Sequence, residues 1–253
     1  MKASDTAQHA PVIIGAGRVG QSIAAAMLGA GGKVELRGRA DGLESLAGRT
    51  VLLCVPDAEI GVLAESIGNS GEPPHLIGHT SGATGLDVLD GAGAKGSFSV
   101  HPLQTVPDGE TDLTGCPAAI AGSDGHALEV AGQIATIAGM RSFEVSEDDR
   151  VIYHAAASIA SNFLVTIEQT AAELLGGIAV GNPRQVLEPL VRRSLDNWID
   201  RGESALTGPI ARGDENTVDA HRRALSERRP ELVDFYDALA VRTRAIARGG
   251  SIR

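Results

Sequence analysis

Along residues 11–122, short apolar runs alternate with helical patterns and glycines. PVIIG (11–15), KVELR (33–37) and RTVLLCVP (49–56) predict strands. The last is almost continuously apolar, the pattern of a strand buried on both faces. HLIGHTSG (75–82) and GSFSVHPL (96–103) predict two more, each ending in polar residues, and PAAIAG (117–122) another. RVGQSIAAAMLGA (18–30) reads as a helix of small residues. Strands separated by helices imply an α/β fold: a Rossmann-like parallel sheet with right-handed crossovers.

From Ser146 onward the strand signal disappears. Ser146 and Asp149 have capping-box spacing, and a helical pattern runs from there to about Leu175, before Gly176 and Gly177. Asn182-Pro183 starts another helix, which Pro189 is expected to kink or restart and which ends near Gly202. The loop LTGPIARGD (206–214) precedes two helices near 215–227 and 230–247. The expected division is therefore a dinucleotide-binding Rossmann-like domain, 1–145, and an all-helical substrate and dimerisation domain, 146–253.

Composition narrows the function classes. The 253 residues carry a net charge of −10, which argues against nucleic-acid binding. No uninterrupted run of 18 apolar residues occurs, so no membrane span is expected, and no signal-peptide pattern opens the chain. Cys54 and Cys116 are too few for a disulfide framework. The expectation is a cytoplasmic protein. Lysine occurs only at Lys2, Lys33 and Lys95, so the helical half has none.

Gly15-Ala16-Gly17-Arg18-Val19-Gly20 matches G-x-G-x-x-G between a strand and a helix, the context that gives the pattern a mechanism. Gly15 permits the turn, Gly17 lets the backbone approach a pyrophosphate, and Gly20 lets the helix pack on the strand. The second strand runs into Arg37-Gly38-Arg39 where NAD-binding folds place a carboxylate. Two guanidinium groups suit a 2′-phosphate, so NADPH is the expected cofactor. Val55 and Pro56 are expected to pack on it.

His154, Ser158 and Asn162 lie four residues apart, so an α-helix would put them in one polar line. Hydride delivery to a ketone builds negative charge on oxygen, and an imidazole can supply the proton. Asn162, and more weakly Ser158, can hold a carbonyl or hydroxyl. The plainer alternative is a tightly packed helix whose polar groups bond local backbone.

VLLCVPDAEI (51–60), GHTSGATGLDVL (78–89), SVHPLQT (99–105), YHAAASIASNFL (153–164) and ALTGPIARGD (205–214) occur in that order. Together they resemble a bacterial family joining a Rossmann-like domain to a helical domain of formerly unassigned function. More distantly, the chain resembles the 6-phosphogluconate dehydrogenase-like superfamily, with its ketopantoate and pyrroline-5-carboxylate reductases. The resemblance implies reduction of a small 2-keto acid, ketopantoate first. Ordinary ketopantoate reductases carry Lys, Asn and Asn at the spacing of His154, Ser158 and Asn162, the lysine acting as proton donor. Here only Asn162 is kept, so either His154 takes the acid role or the chemistry differs.

His79 and His101 should sit at the C-terminal edge of the sheet, where open α/β folds bind ligands. His101 precedes Pro102, which restricts its backbone; it suits the nicotinamide or the substrate, or else bonds its own turn. Three histidines from separate elements lack zinc spacing, and no metal is expected. Arg212 suits a substrate carboxylate, or pairs with Asp214 or Glu215. The alternatives to a keto-acid reductase are an imine reductase of the pyrroline-carboxylate kind and a non-catalytic NADPH-binding sensor. A helical domain with a long small-residue helix is expected to form a homodimer.

Overall fold

A computed structural model describes residues 10–249. They form two compact units, divided between Leu164 and Val165. The expected boundary near 145 falls earlier, because the first turns of the long helix pack with the sheet.

The first unit is a seven-stranded sheet in the order β2-β1-β3-β4-β5-β6-β7. The strands are β1 (Val12–Ile14), β2 (Glu35–Arg37), β3 (Thr50–Leu53), β4 (Leu76–His79), β5 (Gly96–Pro102), β6 (Pro117–Gly122) and β7 (Arg141–Glu144). All neighbouring pairs are parallel except β5 with β6. The antiparallel pair corrects the all-parallel expectation. No helix separates β5 from β6, so the chain returns without a crossover. β7 went unpredicted because its four residues, RSFE, are all exposed and show no apolar run.

Helices α1 (Arg18–Gly29), α2 (Asp57–Asn69) and α3 (Gly125–Ile137) connect the strands. Alternate strand residues feed two cores. Ile13, Leu52, Leu76 and Phe98 pack with α1 and α3 on one face. Val12, Ile14, Val51, Leu53 and Ile77 pack with α2 and a 3-10 turn, Leu86–Ala92, on the other. That two-sided burial is why these strands read as unbroken apolar runs.

The long helix is continuous in three parts: α4 (Arg150–Ser158), a π turn (Ile159–Phe163) and α5 (Leu164–Gly177). Ser146 Oγ accepts from the Asp149 amide at 3.1 Å, as the spacing predicts. By length and composition these 28 residues could cross a membrane, with a window hydropathy of 1.2. The expectation of no span rested on unbroken apolar runs, which Ser158, Ser161, Asn162 and Thr166 interrupt without lowering the average far. At its start the helix is tied to the sheet by Arg150, only 4% exposed.

The second unit holds α5, α6 (Pro183–Arg201), α7 (Pro209–Arg212), α8 (Glu215–Arg228) and α9 (Val233–Ala247). Pro189 neither ends nor restarts α6, which runs through it. Asn182 is left-handed (φ 50°) and makes no side-chain cap, contrary to its predicted role. Asp214 does cap α8, accepting from the Thr217 amide.

Candidate functional site

The glycine turn sits where β1 meets α1. Gly15 has φ 118°, and a Cβ there would lie 2.2 Å from the Cys54 carbonyl oxygen. A Cβ on Gly20 would lie 2.0 Å from the Gly15 oxygen. These two glycines are demanded by the fold itself. Gly17 differs: a Cβ there meets no atom within 4 Å. Among the described residues nothing crowds a side chain at Gly17, so the turn is open there. Gly17 caps α1 without a side-chain bond, and the first turn holds no acid. The first-turn amides, Arg18 to Gly20, therefore form a ready anion cradle. Val55 flanks Gly15, its Cγ1 3.2 Å from a Cβ placed there, and Pro56 caps α2. The residues present fit a dinucleotide pyrophosphate.

The two arginines after β2 separate. Arg37 is consumed locally: its Nε donates to Glu35 at 2.7 Å and its Nη1 to the carbonyls of Gly42 and Glu44. Its side chain is only 13% exposed. Arg39 is 90% exposed and meets Glu59 at 3.3 Å. Gly38 between them faces Ala16 of the glycine turn. Arg37 is thus committed to building its own loop, while Arg39 stays exposed beside it. Arg39→Ala is expected to weaken NADPH about 10- to 100-fold, the size of a charge-assisted hydrogen bond, and to leave NADH unchanged. Titration of each nucleotide by fluorescence checks this. Equal loss for both would remove Arg39 from 2′-phosphate recognition.

The parallel register sets His79 level with Leu53 and Ser99 at one sheet edge, with His101 two residues further on. His101 Nδ1 lies 2.6 Å from the Tyr153 hydroxyl. The His101 and His154 rings are 5.9 Å apart in an edge contact. Both rest on bare Gly82: a Cβ there would lie 2.7 Å from His154 Cδ2 and 2.8 Å from His101 Nε2. The turn carrying Gly82 is fixed by Ser81, whose Oγ meets Asp57 and Thr84 at 2.8 Å and accepts the Thr84 amide.

The electrostatics follow from burial. His101 is pushed down to about 4, first by burial, then by repulsion from His154 and Arg150. Tyr153 is pushed up to about 12 by burial. The phenol thus keeps its proton and shares a hydrogen bond with Nδ1 of a neutral His101, whose Nε2 faces Gly82.

One histidine candidate changes standing. His79 is fully buried, with Nε2 3.3 Å from the Gly85 carbonyl, Nδ1 unpartnered, and its pKa pushed down to about 4 by burial. It braces the 80–85 turn and offers no surface to a ligand. Residues 159–163 are π-wound, so Asn162 does not follow Ser158 at α-helical spacing. Asn162 is exposed, whereas His154 and Ser158 are half-buried. Arg212 ends α7 in the second unit and is exposed. Its predicted partners are taken, Glu215 by Arg244 and Asp214 by Thr217. Among the described residues no three His, Cys, Asp or Glu side chains gather as a metal site.

Residues 116–243 match the family described as a domain of unknown function, DUF2520. The chain belongs to this family. No curated protein matches it. Among solved structures it is similar to BF3122 of Bacteroides fragilis, a candidate NADP oxidoreductase. The two share 24% identity and a TM-score of 0.77, over 92% of this chain and 97% of that one. It is also similar to TM1727 of Thermotoga maritima, at 20% identity and TM-score 0.75, over 96% of this chain and all of that one. A third likeness is an imine reductase of Myxococcus stipitatus in complex with NADP+: 14% identity, TM-score 0.61, 96% and 95% coverage. These likenesses establish an α/β Rossmann-like dehydrogenase fold with a helical C-terminal region.

The DUF2520 match takes in Arg150, Tyr153 and His154, whereas Gly82 and His101 precede it. Sequence reasoning passed over Tyr153, Gly82, Ser81 and Arg150. Tyr153 adjoins His154 in the quoted YHAAAS, but helical spacing points to residues four apart, not to a neighbour reaching across to β5. Arg150 follows Glu147-Asp148-Asp149, a cluster that reads as an ordinary charged helix start.

Proposed function

We propose that the protein is an NADPH-dependent reductase of a small 2-keto acid, with ketopantoate as leading candidate, working in the cytoplasm. The observation that carries this reading is the meeting of His101, Tyr153 and His154 over Gly82, at the sheet edge that also bears the glycine turn. Arg39 favours NADPH, and two of the similar solved structures are described with NADP.

Bound at the cradle, NADPH would supply the hydride. The chain's own residues handle the oxygen. His101 Nε2–H donates a hydrogen bond to the substrate carbonyl, a fixed neutral donor. His154 gives its proton to the alkoxide as it forms and recovers it from solvent. Burial first, and His154 beside it, keep His101 neutral. Ser158, one turn from His154, orients the substrate, and Asn162, exposed beyond it, assists.

The test is the loss of NADPH absorbance with purified protein and ketopantoate, beside a protein-free control. Rapid loss supports the reading. No loss, with NADPH binding shown in the same sample, removes ketopantoate. Turnover of cyclic imines would then identify an imine reductase, and silence with all substrates a cofactor sensor. The histidine pair favours the keto acid, because an iminium already carries the proton that a ketone must acquire.

The protein is further proposed to act as a homodimer. In the second unit Val165, Ile178, Val186, Leu190, Leu195, Trp198, Ile199, Leu239 and Val241 are exposed, Trp198 by 64%, while its buried apolar residues are Ala172, Val218 and Ala240. At roughly 60–120 Å² per fully exposed side chain, the nine offer on the order of 500 Å². A standard interface takes about 800 Å² from each partner, about 60% of it apolar. Trp198→Glu is expected to convert the dimer to monomer in light scattering. A monomeric parent protein would remove the proposal.

A further inference from the structure

Arg150 is a buried cation that the proposed chemistry does not use. It is 4% exposed at the start of α4. Its Nε and Nη2 hold Glu147, its Nη2 also reaches Ser99 Oγ on β5 at 2.8 Å, and its Nη1 points to the Ser81 carbonyl at 3.5 Å. Glu147 in turn accepts the Leu86 amide at 2.8 Å. One guanidinium thus fastens three things to the first turn of α4: the strand that carries His101, the turn that carries Gly82, and the 3-10 turn behind it. Tyr153 and His154 stand three and four residues further along that same helix, which is one helical turn.

We propose that Arg150 is a positioning residue: its planar fork sets α4 against β5 and the 80–85 turn so that Tyr153 and His154 meet His101 over Gly82. A lysine could not do this, because an ammonium on a flexible stem lacks the fixed fork that spans several acceptors. A buried charge beside two imidazoles has a second consequence. A cation disfavours protonation of its neighbours, and Arg150 contributes to the lowered pKa of both His79 and His101. The other groups facing His101 are Tyr153 and His154 on α4, His79 on β4 and Asp57 at the start of α2. Burial drives the shift, His154, Arg150 and His79 add to it, and Asp57 opposes it.

This assignment rests on the reading of the histidine pair as the reacting end of a reductase, but its test needs neither substrate nor cofactor. Histidine ring signals are followed by NMR against pH in the full-length protein, in Arg150→Met and in Arg150→Lys, each first checked for a cooperative melt. In the unaltered protein His101 is expected as a single tautomer, protonated at Nε2 and titrating near 4. Arg150→Met is expected to raise that titration by about one pH unit, the effect of losing one nearby like charge. Arg150→Lys keeps the charge and loses the fork. Its His101 is expected to titrate low but to give averaged ring nitrogen shifts as the Tyr153 bond loosens. A folded Arg150→Lys protein with unchanged ring nitrogen shifts would overturn the positioning role. An unchanged titration in folded Arg150→Met would overturn the electrostatic one. Should Arg150→Met not fold, Arg150→Lys alone decides the proposal. A protein that fails to reduce any keto acid yet shows these ring signals would sink the reductase reading and leave Arg150 in place.

Discussion

His154→Gln is expected to reduce the keto acid about 10²–10⁴-fold more slowly than the unaltered protein, the usual contribution of one positioned proton donor. NADPH affinity should be unchanged, since His154 lies on α4 and the cradle at the start of α1. Tyr153→Phe separates the partners. It removes only the 2.6 Å bond to His101, worth about 1–3 kcal/mol if the imidazole nitrogen is left unpaired, so a loss of about 10- to 100-fold is expected. Steady-state kinetics on both variants decide the roles. A His154→Gln protein with full turnover would show that the proton comes from elsewhere, with His101 the next residue to test.

The second large effect divides the glycines by what each must accommodate. Gly17→Ala should leave the melting temperature of the cofactor-free protein near its original value, because its Cβ meets nothing within 4 Å. Its affinity for NADPH should fall about 100-fold, the loss of one or two charge-assisted hydrogen bonds to phosphate. Gly20→Ala should do the reverse. Its Cβ would sit 2.0 Å from the Gly15 oxygen and 3.1 Å from Cys54 Cβ, so the strand and helix must separate, at about 1–3 kcal/mol or more. Calorimetry and nucleotide titration on the two variants check the pair. Equal nucleotide affinity in Gly17→Ala and the parent would show that no phosphate approaches that turn.

Local pattern carried much of the fold by itself. The apolar runs of β1, β3 and β4 read as strands buried on both faces, and both of their faces are buried. The glycine turn was legible because its requirement is local: one tight turn and one close helix packing within six residues. β7 was not, since an exposed edge strand is held by backbone bonds to β6 and leaves no apolar signature. The proton-handling site was half legible. His101 and His154 stood out as residue types, but their meeting depends on β5, the 80–85 turn and α4 arriving at one point, and spacing within a single helix says nothing of that. The winding of the segment between Ser158 and Asn162 was out of reach for the same reason, because helical spacing assumes α winding and residues 159–163 wind as a π turn. Arg37 and Arg39 were equivalent as charges two residues apart. Only the tertiary structure separates them, by folding the 42–45 loop over one guanidinium and leaving the other in water.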